Sequence, residues 1–231
     1  MATSLVDLND LYTFLNFLIN KFLGTFYAPE QMDLLVDRAQ MAVYNDYYSE
    51  FGKSQQLNDS MAPFKRTFTF TQASSPGGLI APPDDYYNLL SVIPTIFNSI
   101  TNQPQDVPCP ILNEDEIVGR ENSQLIPLNI SNPFGVIMQN WTVQLYPKVP
   151  QAGTVFYLCR PQTPYYDYSI VSGRVVVYNQ GPSDQLEWAD KDVGKIIIVA
   201  LGFLGVNLRE QDIIGWADAK EQRMLMTKDK T

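Results

Sequence analysis

The stretch Asp184-Gln185-Leu186-Glu187-Trp188-Ala189-Asp190, followed by the mainly apolar run from Val193 to Leu208, decides how this chain is read. An acidic and aromatic approach leads into a helix that Asp190 is placed to cap. Val193, Ile196, Ile197, Ala200, Leu201 and Leu204 recur at the spacing of one helical face. Gly194, Gly202 and Gly205 each weaken such a helix by about 1 kcal/mol relative to alanine, so close packing against a neighbour is the expected compensation. Asn207-Leu208-Arg209-Glu210 has a capping-box pattern and opens a second helix at a sharp corner. Ile213, Ala217, Lys220 and Met224 lie along one face of that helix. Two short helices of this kind dock and close a fold; they carry no chemistry.

The first fifty residues are also helical in pattern. Ser4-Leu5-Val6-Asp7 reads as a start signal, with Ser4 as cap and Asp7 reaching back. Leu8, Leu11, Leu15, Leu18 and Phe22 repeat at three and four residues, while Tyr12, Phe14, Phe17, Ile19 and Leu23 fill other faces. A helix apolar on most sides is buried on most sides, by its own chain or by a neighbouring subunit. Gly24 ends it, and Pro29 with Glu30 suits the first turn of the next. Met32, Leu35, Ala39, Ala42 and Val43 form the second core stripe, and Tyr44, Tyr47, Tyr48 and Phe51 an aromatic cluster at its end.

The middle of the chain reads as strands. Residues 52–63 are polar and predict a linker. Lys65 to Thr71 alternates, with Phe68 and Phe70 on one face. Tyr86 to Phe97 is rich in strand formers but interrupted by Pro94. Asn113-Glu114-Asp115-Glu116 starts a short helix or turn with an acidic first turn. Gly135–Gln139, Trp141–Tyr146, Thr154–Arg160 and Arg174–Tyr178 follow as four strand segments. The expected fold is α+β, with N- and C-terminal helices forming a helical bundle around an inserted antiparallel β-rich domain. Its expected divisions are 1–62, 63–182 and 183–231.

Composition excludes several functions. The 231 residues are 45% hydrophobic and carry a net charge of −9, with a pI near 4.4. That balance disfavours direct grip on nucleic-acid phosphates, but does not exclude a protein that lets DNA pass without sticking, since like charges repel. The first fifty residues hold seven acids and two bases. Histidine is absent, which removes the commonest general base and metal ligand. Cys109 and Cys159 lie far apart with no zinc spacing, and two reduced thiols are expected. No secretory start is visible, the run Ile196 to Val206 is too short to span a bilayer, and a soluble chain is expected.

Candidate chemistry is thin. Asp84 and Asp85 are adjacent, so on a strand their carboxylates would diverge. Glu114, Asp115 and Glu116 lack the spacing and glycine of a calcium loop. Cys159 stands beside Arg160, but a Cys–His nucleophile needs a histidine that the chain does not have. Tyr165, Tyr166 and Tyr168 would suit sugar or base stacking, a covering loop, or a subunit contact. No enzymatic activity and no cofactor are expected.

Several segments in order resemble one family. They are the N-terminal helix pair, Pro83-Asp84-Asp85-Tyr86, Gln144-Leu145-Tyr146-Pro147, Tyr157-Leu158-Cys159-Arg160-Pro161-Gln162-Thr163-Pro164, and Gln185-Leu186-Glu187-Trp188 before the closing helices. This order is similar to head–tail connector proteins of short-tailed bacteriophages, and looks most like the ring proteins of crAss-like phages. The resemblance covers nearly the whole chain and carries over no active residue. It implies a virion ring, usually of twelve copies, below the portal at the head–tail junction, assembled in the host cytoplasm. Its partners would be sister copies, the portal protein, and the next tail ring or tail-hub protein. Genomic DNA would pass through its channel without specific binding, and no membrane is involved. Expected interface residues are Trp188, Trp216, Met224, Tyr165 and Tyr166, with 216–231 reaching a portal groove; for Trp188, packing inside its own subunit is an equal reading. The alternatives are a tail-hub or fibre-adaptor protein, or a carbohydrate-binding module built on the tyrosines.

Overall fold

The computed structural model describes residues 7–98, 103–125, 127–149, 151–171 and 175–206. The chain is mixed α+β and divides into two units, Met1–Pro63 with Pro161–Thr231, and Phe64–Arg160.

In the first unit, α1 (Leu8–Leu23) starts at Asp7, whose carboxylate accepts from the Asn9 N–H at 2.9 Å. Asp7 rather than Ser4 is the cap; residues 1–6 lie outside the described part. Gly24 ends α1 at φ 66°, a left-handed turn in which its N–H satisfies the Asn20 carbonyl. In α2 (Pro29–Ser49), Pro29 stands at the first position and the Gln31 side chain reaches back to the Ala28 N–H at 3.1 Å. The residues 52–63 expected as a linker contain a short helix, α3 (Gln55–Ser60). In α5 (Asp190–Phe203), Ala189 occupies the capping position and Asp190 and Asp192 fill the first turn, favourable there for the helix dipole. The stripes of α1 and α5 are buried where the periodicity places them: Leu8, Leu11, Leu15, Leu18, then Ile196, Ile197, Ala200, Leu201. In α2 the buried line is Met32, Val36, Ala39, Val43 and Tyr47, so Val36 replaces the expected Leu35. A two-stranded ribbon belongs to this unit, β9 (Tyr168–Val171) paired antiparallel with β10 (Val175–Tyr178). The second helix expected after Asn207 lies outside the described residues.

The second unit is a small β-sandwich with α4 (Ile117–Glu121) beside it. One sheet has the order β1-β8-β3-β4, from β1 (Lys65–Phe70), β8 (Ala152–Cys159), β3 (Tyr86–Asn98) and β4 (Gln103–Asp106). The other has the order β2-β7-β6-β5, from β2 (Leu79–Ile80), β7 (Val143–Tyr146), β6 (Phe134–Ile137) and β5 (Ile111–Leu112). Pairings are antiparallel except β5 with β6. The shared core is Phe70, Val92 and Val155 from one sheet against Ile80, Val143 and Leu145 from the other, with Cys109 between strands. Pro94 does not break β3. It sits opposite Gly153, whose missing side chain leaves room: a Cβ there would stand 2.4 Å from the Ile93 carbonyl oxygen and 2.7 Å from the Pro94 Cα. Trp141 is not a strand residue. With Asn140 it forms the β6–β7 turn in the left-handed region, φ 58° and 60°.

Candidate functional site

The first turns of α2 carry Glu30, Asp33 and Asp37, three and four residues apart and so along one face. The segment Tyr165–Tyr168 lies on it. Asp33 takes the Tyr12 hydroxyl at 2.5 Å and the Tyr166 N–H at 3.1 and 3.3 Å on its two oxygens. The Tyr168 hydroxyl donates to Glu30 at 2.7 Å, and the Tyr166 hydroxyl to Asn9 at 2.9 Å. The Tyr166 ring stacks on Tyr12 at 5.1 Å and meets Tyr178 at 4.7 Å. Gln185 closes the set by donating to the Tyr178 hydroxyl at 2.5 Å and accepting from the Leu8 N–H at 2.8 Å.

The electrostatics are those of a clamp. Burial raises the Asp33 carboxyl above the usual range, although Tyr12 and Tyr166 pull it down. Burial, then Asp33, pushes the Tyr12 phenol far above its ordinary value, so it stays protonated and keeps donating. Glu30 is held below its ordinary value by the Tyr168 hydroxyl and remains ionised. Among the described residues no group of three or more acids or cysteines is placed to hold a metal ion. In the other unit, Asp85 accepts from the Tyr157 hydroxyl at 2.9 Å and from the Arg160 N–H through its carbonyl, a strand-fixing role. Cys109 and Cys159 are both buried thiols, not joined to each other.

The clamp fixes the root of the β9–β10 ribbon, and beyond that root the ribbon is open to solvent. Ile170, at 60% exposure, and Val176 form one face; Val171 and Val177 lie on the other, and all four are exposed. A second apolar projection stands at the same end of α2. The Tyr27 N–H returns to the Asn16 side chain at 3.3 Å, so the seven residues of α1 beyond Asn16 form an overhang of about 10 Å, on which Leu18 and Ile19 are still buried. Phe17, Phe22 and Leu23 on that overhang are exposed, and Phe26 in the return is 69% exposed. Phe22 continues the stripe of Leu8 to Leu18 but is half exposed.

The expected interface residues divide accordingly. Trp188 is 1% exposed; its Nε1 donates to Gln40 at 3.2 Å and its ring meets Tyr47 edge-on at 5.8 Å. It is a core residue of its own subunit. Tyr165 is half exposed and bridged to Asp184, whereas Tyr166 is spent on the clamp. Trp216 and Met224 lie outside the described residues. Sequence reading missed the ribbon face and the Trp141 turn, which is exposed with Met138 beside it. The signal for the ribbon was present as four consecutive apolar or aromatic residues, Val175 to Tyr178, with no polar alternation. No protein-family model matches the chain, and no curated protein matches it.

Proposed function

We propose that this chain is a structural subunit of a phage head–tail connector ring, placed below the portal, where it extends the DNA channel and offers a docking surface to the tail. The observation that carries this reading is the exposed apolar end of the helical unit. Large exposed apolar patches on a folded subunit mark protein contacts, and here the two projections share one end. In this reading the N- and C-terminal helices close into one bundle and the β-sandwich is its insert, which the discontinuous unit of residues 1–63 and 161–231 supports. The protein is not an enzyme. Its acidic balance suits a channel wall that DNA slides past without specific binding. The tyrosines are better explained as a clamp than as a sugar platform, since Tyr166 and Tyr168 spend their hydroxyls on Asn9 and Glu30.

The portal protein and the next tail component are the partners beyond sister copies. Electron microscopy of the purified protein, alone and mixed with portal, tests the reading: closed rings of about twelve subunits are expected for the family the chain resembles. A protein that stays monomeric at high concentration with portal present overturns it. Truncation after Asp218 should leave the described fold intact and weaken assembly on the portal; unimpaired co-assembly removes the C-terminal segment from that contact.

A further inference from the structure

We propose that the Trp141 turn, at one end of the β-sandwich, binds a neutral carbohydrate. A sugar ring lies on the indole, and Gln139, Asn140 and Asp84 take its hydroxyls. The proposal stands apart from the ring reading, because it concerns the other unit of the chain.

The turn is tightly tied. The Thr142 N–H donates to the Gln139 carbonyl at 3.4 Å, and the Met138 N–H to the Thr142 carbonyl at 2.7 Å. The Thr142 hydroxyl returns to the Gln139 carbonyl at 3.0 Å. In a hairpin turn whose two central residues both take positive φ, the second is by preference glycine. Here it is Trp141, at φ 60°. A bulky side chain at that angle carries backbone strain, of a kind that gathers at binding sites. The indole is only partly used within the sandwich. It lines a crevice floored by the buried Ile80, Val143 and Val155, with Phe68, Pro82 and Tyr86 half-buried around it. Even so, it is 64% exposed. One face therefore rests on the crevice, and the other is offered to solvent.

The surroundings select the class of ligand. No charged residue lies between Arg66 and Asp84, or between Glu121 and Lys148, in a chain that is 18% charged. Those two runs supply β2, β6, β7 and the turn. They offer no cation to a phosphate backbone, so the indole is not a platform for nucleic-acid bases. Protein docking asks for more area. Trp141, Met138, Ile137 and Leu79 together expose about 350 Å² of apolar side chain, from ordinary side-chain areas and their exposures. That is under half of the roughly 800 Å² on one side of a stable interface. A small neutral ligand with an apolar face and polar edges fits better, and a pyranose has both. Its C–H groups pack on the electron-rich face of an aromatic ring. Its hydroxyls donate and accept, as the exposed amides of Gln139 and Asn140 do beside the indole. Asp84, exposed in the turn between Pro82 and Tyr86, adds an acceptor. Its charge also disfavours acidic sugars.

The test is affinity electrophoresis of the full chain, which is anionic at pH 8, in native gels. The gels are cast with a β-glucan, an α-glucan, a galactomannan or a xylan, and with polygalacturonate as the acidic control. At least one neutral polysaccharide should slow the wild type, and polygalacturonate should not. Trp141→Leu keeps an apolar cover on the crevice but has no flat ring; it should migrate freely with an unchanged melting temperature. Trp141→Tyr keeps a flat ring and should still be slowed. Asp84→Ala and Gln139→Ala, both outside the core, should each weaken the retardation, and they decide the matter if Trp141→Leu proves unstable. A wild type slowed by none of the neutral polysaccharides, retardation that survives Trp141→Leu, or retardation unchanged in both alanine variants overturns the proposal. So does a Trp141→Leu that blocks assembly with portal while no polysaccharide slows the wild type, since the turn is then a protein contact. None of these results removes the ring reading, which rests on the other unit.

Discussion

Tyr47→Phe deletes one oxygen and leaves the rest of its surroundings in place. The ring keeps its edge-on contact with Trp188 at 5.8 Å and the Lys195 ammonium at 4.6 Å from its centre. What is lost is the hydroxyl that donates to Asp192 Oδ1 at 2.8 Å. Asp192 is 5% exposed, its other donor is the Ser60 hydroxyl at 3.1 Å, and Oδ2 has no partner among the described residues. Water cannot readily replace the lost donor at so buried a carboxylate. A hydrogen bond to a charged group contributes about 1.5–3 kcal/mol, so the substitution should cost about 2 kcal/mol, near a thirtyfold change in the folding equilibrium. With a urea slope of about 2 kcal/mol/M for a unit this size, the midpoint moves down by about 1 M. Trp188 reports on this unit directly. In a background of Trp141→Phe and Trp216→Phe it is the only indole left of the three in the chain. Its fluorescence against urea, beside far-ultraviolet circular dichroism, checks that the transition is two-state. Asp192→Asn alone and combined with Tyr47→Phe completes a double-mutant cycle. A loss under about 0.5 kcal/mol for Tyr47→Phe, or a coupling of zero between the two positions, would show that this hydroxyl does not stabilise the first turn of α5.

Three more outcomes are expected. Gly153→Ala places a Cβ 2.4 Å from one backbone oxygen and 2.7 Å from a backbone carbon, neither of which can swing aside; it should cost at least about 3 kcal/mol and melt the sandwich first, seen as early loss of sheet signal in circular dichroism. Tyr157, raised by burial and then by Asp85 to about 12, keeps its proton in the folded state while the unfolded chain loses it near 10. Stability should therefore be intact below pH 10 and fall between pH 10 and 12, and Tyr157→Phe should flatten that fall in melts recorded across the range. Cys109, whose thiol burial pushes up to about 12, and the equally buried Cys159 should resist a thiol reagent at pH 8 until denaturant is added, when both react.

Local pattern was legible and distant compensation was not. The stripes of α1 and α5 follow from spacing alone, because a helix fixes which residues share a face. The short helix or turn at Asn113 was likewise read from its acidic first turn, and there the Asn113 N–H reaches the Glu116 carboxylate at 2.9 Å. Pro94 misled because what makes room for it is Gly153 on another strand, nearly sixty residues on. Trp188 stood open between an exposed anchor and a core residue for the same reason: only Tyr47 and Gln40, from the far end of the sequence, decide that it is core. The clamp was half visible. The tyrosines were marked as a cluster, but of their carboxylate partners on α2 Glu30 was read only as a helix-start acid and Asp33 was not singled out.

The residues that remain exposed are informative because sequence pattern and subunit structure measure different burials. An apolar stripe records what is covered in the working assembly, whereas one folded chain shows only what it covers itself. Along α1 the two agree from Leu8 to Leu18 and part at Phe22, which keeps the stripe's spacing but stands in solvent. On the ribbon they part further: Ile170, Val171, Val176 and Val177 are exposed on both faces, with Ser169 the polar residue beside Val171 and Val177. Among the described residues of this unit, the large exposed apolar side chains are those of the two projections, with Tyr165, Leu34, Tyr48 and Phe203 besides. Exposure spread evenly over a surface is ordinary. Exposure gathered at one end, on elements whose roots are fixed by hydrogen bonds, is the observation on which the proposed ring reading rests.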